Sequence, residues 1–371
     1  MDFDLNDEQQ MLRDGAERFL LDSYSFEERK HSLAAPAACR AERWQSFADL
    51  GWLALTIPED LGGLGAGQFE STLIAEAMGR RAVVEPFAMT AILTSALLSA
   101  GGSNASRETL LAEVAAGSRR FSLAIFEPHT HYRFLDADTT AQRTTAGFRI
   151  CGVKQLCFDA PAADTMLVTA TLEGQLALFL VDSRATGLRH RTYPTIDGRY
   201  AADLDLDDVE VDTQALLGFG PTLCASLDEA LDRLRIFEVA EALGAMERIM
   251  ELTAEHLRNR KQFGQPLAAF QALQHRMAEM FVEVQETRSA LYHALAHFED
   301  APPERRAAVS SAKVVAIEAG RVVGGLGIQL HGGVGMTNEY EVGHHYRRLL
   351  VLERAWGDLD FHLDRIAARY S

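Results

Sequence analysis

The hydrophobic pattern of this chain changes period twice, and that double change restricts the fold more than any other feature. From Asn6 onward apolar residues recur at helical spacing (Met11, Leu12, Ala16, Phe19, Leu20), and Asn6 with Gln9 three residues later has the form of a capping box. Further amphipathic stretches lie near 41–51, 68–80, 87–100 and 106–116, divided by the turn-rich run from Pro58 to Gly65 and by the Gly101-Gly102 break. Near Ser118 short β-rich bursts take over: Phe121 to Phe126, Phe148 to Val153, Met166 to Ala170, Leu176 to Val181 and Ala202 to Val209. After Gly220 the helical period returns in long segments near 223–259, 267–299, 304–330 and 352–368. This order predicts an α+β protein with an N-terminal helical domain over 1–118, a middle domain over 119–219 whose spacing fits a small β-barrel or sandwich, and a C-terminal helical bundle over 220–371. No repeat of fixed 20–50 residue period is present, so a solenoid is not supported.

Composition removes several functional classes. With 36 basic and 53 acidic residues the chain carries a formal charge of -17, so its long-range field repels nucleic acid and anionic membranes. Cys39, Cys151, Cys157 and Cys224 are too few and too scattered for a disulfide framework and form no metal-ligand pattern, so no metal is expected. The opening Met-Asp-Phe-Asp-Leu-Asn-Asp-Glu is acidic where a targeting segment is basic. The longest apolar run, Phe87 to Ala100, falls short of the ~20 residues a membrane helix requires. A cytoplasmic protein is the expectation.

Two stretches carry more than a packing signature. Arg258-Asn259-Arg260-Lys261-Gln262-Phe263-Gly264-Gln265-Pro266 is a basic cluster at a helix end, followed by Phe270-Gln271 at the next helix start. Guanidinium forks and backbone N–H groups can converge on a pyrophosphate there, although a solvated helix terminus gives the same pattern. Gln329-Leu330-His331-Gly332-Gly333-Val334-Gly335 follows an apolar helix, and its glycines permit close backbone approach or a tight helix stop. It lacks the strand and following helix of a Rossmann fingerprint or P-loop.

In this order the two stretches resemble the acyl-CoA dehydrogenase family, and the resemblance spans nearly the whole chain. It includes Asp7-Glu8-Gln9-Gln10, Leu50-Gly51-Trp52, Ile57-Pro58-Glu59, Gly62-Gly63-Leu64-Gly65, Glu127-Pro128, Arg260-x-Gln262-Phe263-Gly264 and Gln329-x-His331-Gly332-Gly333-x-Gly335. The tail from Glu339 to Asp358 looks most like the branch typified by the small subunit of pimeloyl-CoA dehydrogenase. The resemblance implies FAD held between subunits, with one β domain seating the isoalloxazine and a neighbour's C-terminal domain the ADP end. It makes the middle domain a β-barrel and the C-terminal domain a four-helix bundle, and it assigns Arg260 and Gln271 to the pyrophosphate and adenosine, Phe263 to the adenine end, and Gln329, Gly332 and Gly333 to the ribose-pyrophosphate stretch, with Gln262 also among the cofactor-binding residues. It also places Arg235 on the substrate side.

The sequence departs from the family where the chemistry is done. A carboxylate base must abstract the proton alpha to the thioester. Most members place it before Gly-Thr, where this chain reads Ala355-Trp356-Gly357-Asp358; some place it before an arginine, where this chain reads Leu234-Arg235. Neither Trp356 nor Leu234 is a base. Glu238, Asp358 and Glu353 are the candidates for a relocated base, Glu238 because it lies one helical turn beyond Leu234 in apolar company. The family's hydroxyl before Glu-Pro is Phe126 here, and its flavin-facing Trp and Thr or Ser become Leu156 and Phe158. Each lost donor forfeits ~0.5–1.5 kcal/mol and leaves a flavin heteroatom short of a partner. His129, His131, His331, His344 and His345 show no ligand spacing and are read as turn or interface residues.

The expectation is therefore an FAD-dependent acyl-CoA dehydrogenase subunit, acting on a long, dicarboxylic or bulky acyl-CoA. Its partner chain, in a dimer or tetramer, supplies the glutamate, and electron-transferring flavoprotein is the candidate acceptor. A self-sufficient homo-oligomer with a relocated base and a non-redox structural or binding homologue are the alternatives.

Overall fold

The structure, a computed structural model, describes residues 4–34, 41–101 and 105–370; Cys39, Gly102 and the first three residues lie outside the described residues. The chain divides into two compact units, one of Met1–Lys30, Gln68–Val83 and Arg235–Ser371 and the other of His31–Gly67 and Val84–Leu234.

The first unit is helical. Helix α1 (Asp7–Ser23) begins with the capping box read from the sequence: Gln9 N–H donates to Asn6 Oδ1 at 2.8 Å and Asn6 N–H to Gln9 Oε1 at 3.1 Å. It buries Ala16 and Leu20 beside α4 (Gln68–Arg81). The unit continues with the C-terminal part of α7 (Gly220–Asn259), then α8 (Gln271–Ala296), α9 (Pro302–His331), α10 (Glu341–Leu352) and α11 (Leu359–Ala367). Helices α4 and α7 touch backbone to backbone at two glycines. A Cβ on Gly79 would lie 2.0 Å from Glu241 O, and one on Gly244 would lie 2.0 Å from Glu76 O.

The second unit carries α3 (Ala41–Asp49), a seven-residue π-helical stretch (Ala88–Thr94) leading into α5 (Ser95–Ala100), α6 (Ala105–Ala115) and the sheet. Helix α2 (Phe26–Leu33) precedes α3 and begins in the first unit. Strands β1 (Phe121–Ala124), β2 (Thr140–Arg143), β3 (Gly147–Phe158), β4 (Thr165–Leu172), β5 (Gln175–Asp182), β6 (Leu188–Pro194), β7 (Tyr200–Asp212) and β8 (Leu216–Phe219) form one eight-stranded mixed sheet. Its order is β6-β7-β3-β2-β4-β5-β8, with β1 parallel to β4. Phe148, Ile150, Met166, Val168, Phe179 and Leu204 fill its core.

The helical and β-rich stretches of the sequence reappear as elements, with instructive differences. β2, β6 and β8 were not anticipated: Thr140–Arg143 and Leu188–Pro194 are mostly exposed and show no apolar alternation, and Leu216–Phe219 is a four-residue strand with no alternation of burial. The expected segment over 352–368 is instead the end of α10, a turn, and α11. Trp356 in the left-handed region (φ 59°) and Gly357 (φ 123°) break the helix there.

Gly79→Ala is expected to destabilise the protein by about 1–3 kcal/mol in urea unfolding, since the added methyl must push two helices apart. Gly15→Ala in α1, where a Cβ meets nothing within 4 Å, is expected to stabilise by about 0.5–1 kcal/mol through helix propensity alone.

Candidate functional site

The positions that the family resemblance assigns to chemistry fall in three places, one in the second unit and two in the first.

In the second unit, β3 is bulged against β7 between Lys154 and Cys157. The bulge holds Leu156 in the left-handed region (φ 48°), exposed, with its N–H donating to Asp203 Oδ1 at 3.1 Å. Phe126 and Phe158 face each other edge to face at 6.4 Å, and Phe126 meets Phe134 at 5.5 Å and Tyr132 at 6.4 Å. An aromatic platform thus occupies positions where hydroxyl donors would serve a flavin ring. Beneath it lies a buried ion pair that sequence reasoning missed. Lys154 Nζ donates to Glu127 Oε1 at 2.5 Å and to Thr169 Oγ1 at 2.8 Å, while the Glu127 carboxylate accepts N–H groups from Asp138 and Thr139. Burial opposes ionisation of Glu127, but the Lys154 ammonium and these hydrogen bonds outweigh it and hold the carboxyl below its usual range. The conspicuous Glu-Pro glutamate is therefore bound into the sheet from within.

In the first unit, the basic segment leaves α7 as a hairpin, Lys261–Gln262 paired with Gln265–Pro266. Both turn residues are left-handed, Phe263 at φ 53° and Gly264 at φ 81°, as a two-residue primed turn requires. Phe263 is 90% exposed, with its ring edge to face on Phe270 at 6.1 Å. Arg258, Arg260 and Lys261 are exposed and form no ion pair with any described residue. Gln271, the first residue of α8, is also exposed.

The glycine-rich segment closes α9. Gly332 takes φ 64°, and a Cβ on Gly332 or Gly333 would meet nothing within 4 Å, so this backbone is open to a ligand. Gln329 is exposed beside it. His331 ties the two motifs together: its ring lies 4.6 Å from that of His256 on the last turns of α7 and 4.9 Å from Tyr340, and its Nδ1 bonds Gly327 O at 2.7 Å. Burial pushes both His331 and His256 below the usual histidine range, and the two rings meet tilted by 33°. The residues assigned to the dinucleotide tail lie on the hairpin after α7, at the start of α8 and at the close of α9, and unpaired cations with an open glycine backbone suit a pyrophosphate.

The third place, also in the first unit, is the turn between α10 and α11, where the family's base would stand. Trp356 is 1% exposed, and its carbonyl accepts from Arg235 Nε at 2.9 Å. Arg235 is itself buried, its guanidinium 5.4 Å from the Phe361 ring. Lys313 Nζ donates to Leu352 O at 2.9 Å, to Ala355 O at 3.2 Å and to Glu238 Oε2 at 3.1 Å. Burial pushes the Glu238 carboxyl up and the Lys313 ammonium down, each opposed by the other's charge. Glu353 is held below its usual range by its hydrogen bonds from Arg321, at 2.8 and 3.1 Å. Asp358 caps α11 by accepting Phe361 N–H at 3.0 Å. Each carboxylate considered as a base therefore has a partner of its own. No group of three or more metal-ligating side chains converges among the described residues.

Comparison with known proteins agrees along the chain. The family model described as acyl-CoA dehydrogenase, N-terminal domain, matches residues 6–118, and that described as acyl-CoA dehydrogenase, C-terminal domain, matches residues 225–371. Acyl-CoA dehydrogenase FadE27 of Mycobacterium tuberculosis is 28% identical over 332 residues, covering 88% of this chain and 87% of its own. Acyl-CoA dehydrogenase IpdE2 of the same organism is 30% identical over 354 residues, covering 92% and 91%. Among solved structures, the ChsE4-ChsE5 complex from Mycobacterium tuberculosis superposes with a TM-score of 0.90 at 25% identity, covering 100% of this chain and 99% of the matched one. The Tcur3481-Tcur3483 steroid ACAD variant gives 0.87 at 29% identity, covering 98% and 97%.

Lys313→Met is expected to cost about 3–5 kcal/mol in urea unfolding, because it strands the buried Glu238 carboxylate. Adding Glu238→Leu to it should recover much of that loss; equal stabilities for the single and double variants would show the two groups to be uncoupled.

Proposed function

Since this chain belongs to the acyl-CoA dehydrogenase family, we propose that it is the tail-holding half of a two-chain flavoenzyme: it grips the ADP end of FAD and a partner subunit supplies the ring seat and the base. The observation that carries this reading is Trp356. A non-titrating, fully buried indole stands where the family's catalytic carboxylate belongs, and its backbone is pinned by Arg235.

The tail residues fit the cofactor and the ring residues do not. Arg260 would hold the pyrophosphate with a charged fork, Gln271 and Gln329 would offer amides, and Gly332 and Gly333 would admit the ligand to the backbone. The exposed Phe263 would lie against the adenine, with Gln262 beside it. Phe126 and Phe158 offer the flavin ring no hydroxyl, so this chain's β domain would leave ring heteroatoms without donors. When bound, FAD supplies the acceptor for the hydride leaving the substrate's beta carbon. The proton at the alpha carbon must go to a carboxylate that this chain does not present.

Arg235, buried against Trp356 and Phe361, is committed to the turn rather than to an acyl-CoA. The partner would then bind the acyl-CoA, which the resemblance to the pimeloyl-CoA branch makes long, dicarboxylic or otherwise bulky, and electron-transferring flavoprotein is the candidate acceptor. The pairing has company among the similar structures, one of which is a ChsE4-ChsE5 complex and another a Tcur3481-Tcur3483 steroid ACAD. No helix among the described residues is long and apolar enough to cross a membrane.

Flavin stoichiometry tests the proposal. Purified alone, the chain is expected to show no stoichiometric flavin absorbance; combined with a homologue bearing the glutamate, it should yield one FAD per pair, and Arg260→Ala should weaken that FAD tenfold or more. One FAD per chain in the isolated protein, bleached anaerobically by an acyl-CoA, would establish the self-sufficient homo-oligomer instead.

A further inference from the structure

The glycine-rich segment has little of its own to hold it in place. Gly332, Gly333 and Gly335 have no side chains, and Val334 and Met336 are exposed. Apart from the buried Gly335, which packs closely on Ile328, His331 and Gly343, and the Thr337 Oγ1 bond to Val334 O at 2.9 Å, it is tied down at its ends, by His331 on one side and by Asn338 on the other. Asn338 is held twice from α10: its backbone carbonyl accepts from His344 Nε2 at 3.0 Å, and its side-chain Oδ1 accepts from Arg347 Nη1 at 2.8 Å.

His344 is held in turn. It is buried, and its Nδ1 lies 2.7 Å from Nη1 of Arg29 on α2. Arg29 is also buried, and its Nε donates to Ala82 O at 2.9 Å just beyond α4. The Phe26 ring packs edge to face on the imidazole at 4.9 Å. These partners fix the tautomer. A guanidinium only donates, so Nδ1 must accept; a carbonyl only accepts, so Nε2 must carry the proton. An unbroken hydrogen-bond chain therefore runs from Ala82 O through Arg29 and His344 to Asn338 O.

We propose that His344 is the positioning residue for the dinucleotide-facing segment: as a neutral Nε2–H imidazole it latches Asn338 to Arg29 and so sets the open backbone at Gly332 and Gly333. The latch itself needs no ligand; its consequence for affinity rests on the reading that this segment receives the FAD tail.

The latch has a definite pH response. Burial depresses His344 to about 4, against the pull of the Asn338 carbonyl and with help from Arg29, Arg347 and His345. His345 is linked to Glu341, which also pairs with Arg248. Protonation would give the imidazole a second donor, aimed at the Arg29 donor. The folded pKa lies below the unfolded value of about 6.5, so the latch is at full strength above pH 6.5 and weakens as pH falls toward 4.

Two substitutions separate the halves of the latch. His344→Gln places an amide N–H near the Nε2 position and keeps the link to Asn338. His344→Asn keeps an acceptor for Arg29 but is too short to reach Asn338. In amide exchange of the unliganded chain at neutral pH, segment 332–340 is expected to exchange at least tenfold faster in His344→Asn, with other helices unchanged, and near the wild-type rate in His344→Gln. Equal protection in all three proteins overturns the latch. Should His344→Asn fail to fold, the wild type decides: protection of 332–340, corrected for intrinsic exchange, must fall between pH 6.5 and 4 in the wild type but not in His344→Gln. A flat wild-type profile overturns the latch. ADP is the second probe and is expected to bind about tenfold more weakly to His344→Asn than to wild type. Wild type that shows the exchange pattern but binds no ADP would refute the tail-holding reading while leaving the latch in place.

Discussion

Lys313 is the interaction on which the arrangement around the lost base depends. Helix α10 ends inside the protein, where its last carbonyls have no intrahelical partner. The Lys313 ammonium takes two carbonyls of that helix end and turn, Leu352 O and Ala355 O, and spends its third proton on Glu238. A cation at a helix C-terminus also suits the helix dipole. With the chain fixed to Ala355, the backbone turns left-handed at Trp356, and Arg235 collects the next carbonyl. The backbone of the turn and the carboxylate at 238 are therefore coupled through one ammonium.

The tail site obeys a different electrostatic logic. The chain carries -17 overall, yet Arg258, Arg260 and Lys261 stand exposed without ion-pair partners among the described residues. Exposed charges beyond about 8–10 Å are screened at physiological salt, so a bound pyrophosphate feels this local cluster rather than the global sign. Elsewhere the acidic excess is extensively paired, as in Arg348 with Glu241 and Arg288 with Glu76 and Glu247. Three neighbouring cations left unpaired at one exposed turn are what an anion-recognition surface needs.

How much of this was legible in the sequence depended on the range of the interactions. The capping box at Asn6 and the helix stop at Gly332 are local, and their residue types declare them; the helix end and new helix start around Gly264 were legible too, but not the hairpin between them. Trp356 declared by its chemistry that the base was gone, but not that the chain turned there, because the apolar period on either side runs on as though one helix continued. Glu238 looked like a buried base from its own helix; Lys313, 75 residues away, was the missing half. Glu127 with Lys154 was missed for the same reason, since the two meet only when the sheet forms. Nothing near His344 signalled that its ring would join Arg29 to Asn338. Ion pairs and hydrogen bonds between distant segments leave no periodicity to read.

On the tail-holding reading, the same geometry would let the base be lost while the dinucleotide site is kept. Helix α7 carries Arg235 and Glu238 near one point and Arg258 at its end, and α9 carries Lys313 in its middle and Gln329 near its close. At 1.5 Å per residue these pairs are separated by about 30 Å and 24 Å along their helices. Packing around the turn can therefore change without moving the tail site. Restoring a carboxylate at 356 would not restore a base by itself. Arg235 already bonds the carbonyl of residue 356 and Lys313 that of Ala355 before it, and cations that close favour the ionised form and pull its pKa down, away from the value that proton abstraction from a weak carbon acid requires. A working base at this position needs a less positive turn as well as a glutamate, so the loss is built into the packing and not into one residue.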